Sequence, residues 1–194
     1  AFSGLIFKKE VDNLSKVFNA EHPFVLILGG KKAETKIPLI EKLVESADKI
    51  ILGGALANDF LKAKGYEIGK SVVSEKSLIK KEWLENSKFI LPDRVLAEQS
   101  GVVSEKDVTK LGGEDKIVDV GTSFVDSIND ELKGSKLVVW NGSFGICEQG
   151  FDAGTKEVAD AILSSGAFSI VGGGDTTGAL NSFGLLRKFS FAST

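Results

Sequence analysis

Residues 169 to 180 read SIVGGGDTTGAL: three strand-compatible residues run into Gly172, Gly173 and Gly174, then Asp175, Thr176 and Thr177. Three consecutive glycines remove the Cβ atoms that would keep an anion or a flat ring away from backbone N–H groups. Asp175 opens the next helical pattern. It reads either as an N-cap or first-turn acid favoured by the helix dipole, or as an oxygen ligand for a hard cation such as Mg2+. A second candidate is LGGKKAETK at 28 to 36, where Lys32 and Lys36 stand four apart and share a helical face. Lysines beside a glycine loop suit a phosphate charge, and a solvated pair is the other reading. Gly29 and Gly30, Gly53 and Gly54, Asn141 and Gly142, and Gly173 and Gly174 each follow an apolar run. One glycine pair marks a tight turn, but four clusters at strand ends mark the edge of a sheet where ligands bind. Two familiar phosphate signatures fail. GYEIGKS at 65 to 71 has three residues between its glycines where a Walker A loop needs four, and GGGDTTG carries Thr177 in place of the last glycine of a dinucleotide fingerprint.

The elements that would carry these residues alternate along the chain. Apolar runs at 23–28, 49–52, 88–91, 117–120, 136–140 and 168–171 read as strands, with 189–193 as a seventh. Helical patterns fall near 7–19, 35–46, 55–63, 75–86, 122–133, 154–165 and 175–186. Most of the strand runs are apolar throughout, as strands covered on both faces must be. The expected fold is α/β: a three-layer, Rossmann-like parallel sheet of about six strands with helices on both faces. Within the irregular stretch 93 to 116, DRVLAEQ reads as extended and SEKDVTKLGGEDK as a polar loop. No domain boundary is evident.

Composition narrows the chemistry. The chain has 194 residues, 42% hydrophobic and 26% charged, which suits one globular domain or a large piece of a longer chain. Met is absent, as expected of a fragment. One cysteine, Cys147, excludes an internal disulfide framework, and one histidine, His22, leaves too few soft ligands for zinc. A net charge of -3 with interspersed signs argues against a nucleic-acid surface, and no apolar run approaches a membrane span. AFSGLIFKKE lacks the features of a secretory signal, so a cytoplasmic location is expected. Trp83, Trp140 and Cys147 read as packing residues.

Taken in order, the motifs resemble the C-terminal, nucleotide-binding domain of phosphoglycerate kinases. GGKKAETK (29–36), ILGGALA (51–57), LVVWNGSFGICE (137–148), FDAGT (151–155) and IVGGGDTTGA (170–179) follow the family's order, and AFSGLIFKKEVDNL is similar to the entrance of its interdomain helix. The resemblance implies an interdomain-type helix at 1–20 and a nucleotide-binding domain at 21–194 whose last segment is missing. It implies phosphoryl transfer between 1,3-bisphosphoglycerate and ADP, with ATP/ADP and Mg2+ as cofactors. Lys32 would stabilise the phosphoryl group in transit, while Lys36, Asn141 and Gly142 would face nucleotide phosphates. Glu148 would meet the ribose hydroxyls and Asp175 the Mg2+ ion. Gly173, Gly174, Asp175 and Thr176 would offer a helix N-terminus, and Gly29, Gly30, Gly53 and Gly54 would border the adenine. Phosphoglycerate would be a partner only with the family's N-terminal domain, and the chain is expected to be a monomer. Lys31, Thr35, Ala55, Thr122, Ser143 and Phe191 depart from the family pattern; a small residue usually stands at the position of Lys31 and a His at that of Phe191.

Overall fold

A computed structural model describes residues 20–31 and 33–193. Lys32 and, apart from Ala20, the helix expected at 1–20 lie outside the described residues. Nine strands, numbered in chain order, form two sheets among the described residues. β1 (Phe24–Leu28), β2 (Lys49–Leu52), β3 (Phe89–Ile90), β7 (Leu137–Asn141), β8 (Phe168–Gly172) and β9 (Phe191–Ala192) make a six-stranded sheet in the order β3-β2-β1-β7-β8-β9. All of its pairings are parallel. The helices are α1 (Ile37–Leu43), α2 (Gly54–Ala63), α3 (Lys81–Leu84), α4 (Thr122–Leu132), α5 (Ala153–Ser165) and α6 (Gly174–Ser182).

Alternation along β1 explains the three layers. Val25 and Ile27 point into a core with Phe124 and Ile128 of α4, Val158 and Ile162 of α5 and Leu180 of α6. Phe24, Leu26 and Leu28 point the other way, to Ile40 of α1 and Leu56 and Phe60 of α2. Every β1 side chain is therefore buried, which is why its sequence is apolar without interruption. Each such side chain contributes roughly 1.5 to 3 kcal/mol of transfer free energy, an amount no single surface contact matches. Trp83 stacks with Phe60 and Phe89, and Trp140 is fully buried, so both indoles are packing groups.

Two segments differ from the sequence reading. IVDV is a strand, but within β6 (Lys116–Val120) it joins a three-stranded antiparallel sheet with β4 (Arg94–Gln99) and β5 (Val102–Asp107) rather than the parallel one. β5 covers part of the stretch read as a polar loop. Its residues are exposed or half-buried because it is an edge strand, so it has no apolar run to betray it. The helix expected over 75–86 shrinks to α3, because Lys80 is extended and Asp59 of α2 holds both the N–H and the hydroxyl of Ser74 at 2.8 Å. None of the described helices is long and apolar enough to cross a membrane.

Candidate functional site

The carboxyl ends of β1, β2, β7 and β8 lie side by side, and the loops leaving them interlock through glycines. The Gly29 N–H donates to Asn141 O at 3.0 Å and that of Gly30 to Ser143 O at 2.8 Å, which joins the ends of β1 and β7. Gly142 has φ +107°, and a Cβ there would lie 2.1 Å from Gly29 O, so only glycine fits. Both of its polar groups are held: its N–H donates to Thr176 Oγ1 at 2.8 Å, and its carbonyl accepts from Trp140 Nε1 at 2.9 Å. Trp140 and Thr176 thus fix the turn that presents Asn141.

Two adjoining cavities open on this edge. One, of about 210 Å3, is walled by Gly30, Lys31, Thr35, Lys36, Asn141, Gly142, Gly173, Gly174, Asp175 and Thr176. Gly173 occupies the N-cap of α6 at φ +93°, and no side chain caps the helix, so the first-turn N–H groups face outward. Gly174 has nothing within 4 Å of its Cβ position. The Asn141 Oδ1 atom is buried and without a hydrogen-bond partner, 2.9 Å from where a Gly173 Cβ would stand. A buried acceptor left unpaired is costly, and turning the amide over replaces it with Nδ2, which can donate to an acceptor in the cavity. Burial pulls the Lys36 ammonium below its ordinary value, and the Asp175 carboxylate opposes that shift. Asp175 itself is exposed in the first turn of α6 rather than at its cap.

The second cavity, of about 150 Å3, runs from Gly30, Gly54 and Ala55 to Ile117 and Val118 of β6 and Phe144 and Ile146 after β7. Its rim carries Lys31, Asn58, Lys116, Glu148, Gln149 and Asp175. The Ile146 N–H donates to Val118 O at 2.9 Å, and Thr155 Oγ1 accepts from the Phe144 N–H at 3.0 Å. These bonds tie the loop after β7 to the small sheet and to α5. Lys31 and Glu148 form an ion pair across the rim. The site therefore has an apolar slot at one end and a cationic, N–H-rich pocket at the other, which suits a flat ring carrying a multiply charged anion.

The structure brings Gly30, Lys36, Asn141, Gly142, Gly173, Gly174, Asp175 and Thr176 to one cavity, and Gly30, Gly54, Glu148 and Asp175 to the other. Gly29 and Gly53 stand behind the walls. A Cβ on Gly29 would lie 2.4 Å from Ser143 O, and one on Gly53 2.4 Å from the Phe144 ring. Their bareness is explained by protein packing. The Thr176 side chain is fully buried and occupied with Gly142, so what it offers the cavity is its main chain. Cys147 is half-buried and its thiol is pushed up by burial, as befits an inert group. No group of three His, Cys, Asp or Glu residues that could hold a metal ion occurs among the described residues. A cation here would take Asp175 as its protein ligand and complete its shell from a bound ligand and water. Asn58, Val72 and Ile117 line the slot without any sequence signal, and Ala55, noted in the sequence only as a departure, lines it with them.

A family model described as phosphoglycerate kinase matches residues 1–194. Among curated proteins, the phosphoglycerate kinase of Wigglesworthia glossinidia brevipalpis is 37% identical over 98% of this chain and 50% of its own length. That of Baumannia cicadellinicola subsp. Homalodisca coagulata is 39% identical over 99% and 51%. Among solved structures, the phosphoglycerate kinase from Coxiella burnetii superposes with a TM-score of 0.86 at 36% identity, covering 97% of this chain and 52% of that one. The crystal structure of the Pyrococcus horikoshii OT3 phosphoglycerate kinase gives 0.83 at 27% identity, covering 98% and 51%. The chain spans about half the length of these relatives.

Proposed function

This chain belongs to the phosphoglycerate kinase family, and we propose that it is the nucleotide-binding half of such an enzyme, holding ADP or ATP while phosphate passes between 1,3-bisphosphoglycerate and ADP. The observation that carries this reading is the convergence of Lys36, Asn141, Asp175 and the uncapped N-terminus of α6 on one cavity beside an apolar slot. The base and ribose fit the slot, with Glu148 at its rim for the ribose hydroxyls. The phosphates fit the glycine-walled cavity, where Lys36 supplies charge, the α6 N–H groups donate, and Asn141, its amide turned over so that Nδ2 stands where Oδ1 does, donates to the nearest phosphate. Asp175 would hold Mg2+ carried by the nucleotide, whose charge would offset that of the phosphates. Lys32 is assigned the transferred phosphoryl group by its place in GGKKAETK. No side-chain nucleophile is needed, because phosphoryl transfer rests on positioning and charge stabilisation.

Phosphoglycerate would be held by an N-terminal domain like that of the relatives, so the chain acts on it only with that partner. A second reading, a nucleotide-binding module without turnover, draws on the coverage of half the relatives' length. Calorimetry with millimolar MgADP tests the common core of both readings. Heat of binding accompanied by thermal stabilisation is expected, and silence in both measurements would refute it. The chain is proposed to work as a cytoplasmic monomer, which sedimentation of the purified protein checks in part.

A further inference from the structure

The main chain entering Lys31 is held at Gly30. The Gly30 N–H donates to Ser143 O at 2.8 Å, and the Gly30 carbonyl accepts from the Ala55 N–H at 3.1 Å. The Lys31 side chain stands clear of that framework, 59% exposed, with its ammonium paired to a Glu148 carboxylate that is 52% exposed. The pair reaches from the loop after β1 to the 3-10 turn Cys147–Gln149, across the rim of the apolar slot. Lys31 also lines the glycine-walled cavity together with Lys36 and Asp175. One long cation borders both halves of the site, at a position where the family pattern has a small residue.

We infer that Lys31 is a specificity residue that couples the two cavities by exchanging partners. As paired, its ammonium occupies Glu148. When phosphates enter, its ammonium moves to them and leaves the Glu148 carboxylate open to ribose hydroxyls. The inference rests on the reading of Glu148 as the ribose ligand. Charge sets the direction of the exchange: an exposed ion pair holds its partners weakly, whereas a polyphosphate carries more negative charge than one carboxylate and takes charge-assisted hydrogen bonds from an ammonium. A nucleoside without phosphates cannot draw Lys31 away and must compete with it for Glu148. The chain therefore distinguishes ligands by phosphate as well as by ring, through a residue distinct from Lys36.

The test is calorimetry with adenosine and with MgADP on the 194-residue chain and its Lys31→Ala variant. Lys31→Ala should bind adenosine about threefold tighter, because Glu148 is uncovered, and MgADP roughly five- to tenfold weaker, because a phosphate partner is lost. In a Glu148→Gln background the gain for adenosine should vanish. Shifts of both ligands in the same direction, no shift in either, or an adenosine gain that survives Glu148→Gln would overturn the exchange. Wild-type chain that binds neither ligand would overturn the nucleotide reading along with it.

Discussion

At the scale of single residues, the most informative atom in the site is Asn141 Oδ1. An acceptor buried without a donor costs about 1 to 3 kcal/mol, and Asn141 Oδ1 has no donor within the protein. Asn141→Leu, close in shape and without the acceptor, should raise the melting temperature of the ligand-free chain and shrink the further rise that MgADP brings. A variant that melts lower and still responds fully to MgADP would detach Asn141 from the ligand. Asp175 can be separated from a helix-capping role just as directly, because Gly173 holds the N-cap and Asp175 makes no cap hydrogen bond. Asp175→Asn gives up only a first-turn charge, about 0.3 to 1 kcal/mol of dipole interaction, so its melting temperature should shift by only a few degrees. Its preference for MgADP over metal-free ADP should collapse, and an unchanged preference would return Asp175 to an electrostatic role at the helix end. Lys36 and Asp175 stood out beside glycine clusters, and Asn141 and Glu148 through the resemblance; the structure sets all four on the two cavities. Lys31 showed only as a departure, since its partner lies more than a hundred residues away and no local spacing connects the two.

At the scale of elements, apolar runs located every strand of the parallel sheet, because burial on both faces leaves a signal that needs no partner to interpret. They misplaced β6, whose pairing with β4 rather than with the large sheet is a tertiary choice, and passed over β5, whose side chains are largely polar. Ile117 reaches the slot from β6 and Val72 from the irregular chain between α2 and α3, so the slot's far wall was illegible too. β6 also contributes a clamp. Asp119 is 1% exposed and accepts from the Gly154 N–H at 3.0 Å and the Val120 N–H at 2.9 Å, joining β6 to the start of α5. Burial pushes its carboxyl up to about 6, aided by the nearby Glu157 and Asp152 carboxylates and opposed by those two hydrogen bonds. A folded-state value above the unfolded one means that the folded chain holds the proton more tightly. The stabilisation is complete below the ordinary value of 3.8 and is lost as pH rises through about 6. The loss should be on the order of 2 to 3 kcal/mol over that window. In urea titrations this contribution should fall away between about pH 4 and 6 and be gone above about 7, and Asp119→Asn should lack that decline. A flat wild-type profile would show that the clamp does not titrate there.

At the scale of the whole molecule, the proposed function gives the cavities one reactant, and the second must be brought to it. Placing two reactants in line is worth roughly 7 to 11 kcal/mol of barrier, more than any side chain in this site could supply alone. The relatives are about twice as long as this chain, and phosphoglycerate is assigned here to the half not represented in it. A net charge of -3 offers no general attraction for an anionic acceptor either. The 194-residue chain by itself should therefore bind MgADP and show no measurable transfer from 1,3-bisphosphoglycerate. In a coupled assay, turnover should appear only when a separately produced N-terminal domain of a relative is added. Lys32→Ala should abolish that restored turnover while altering MgADP affinity less than Lys36→Ala does, because Lys32 is given a partner only during transfer. Robust turnover by the purified chain alone, lost on Lys32→Ala and so not due to a contaminating enzyme, would mean that these residues contain the whole active site.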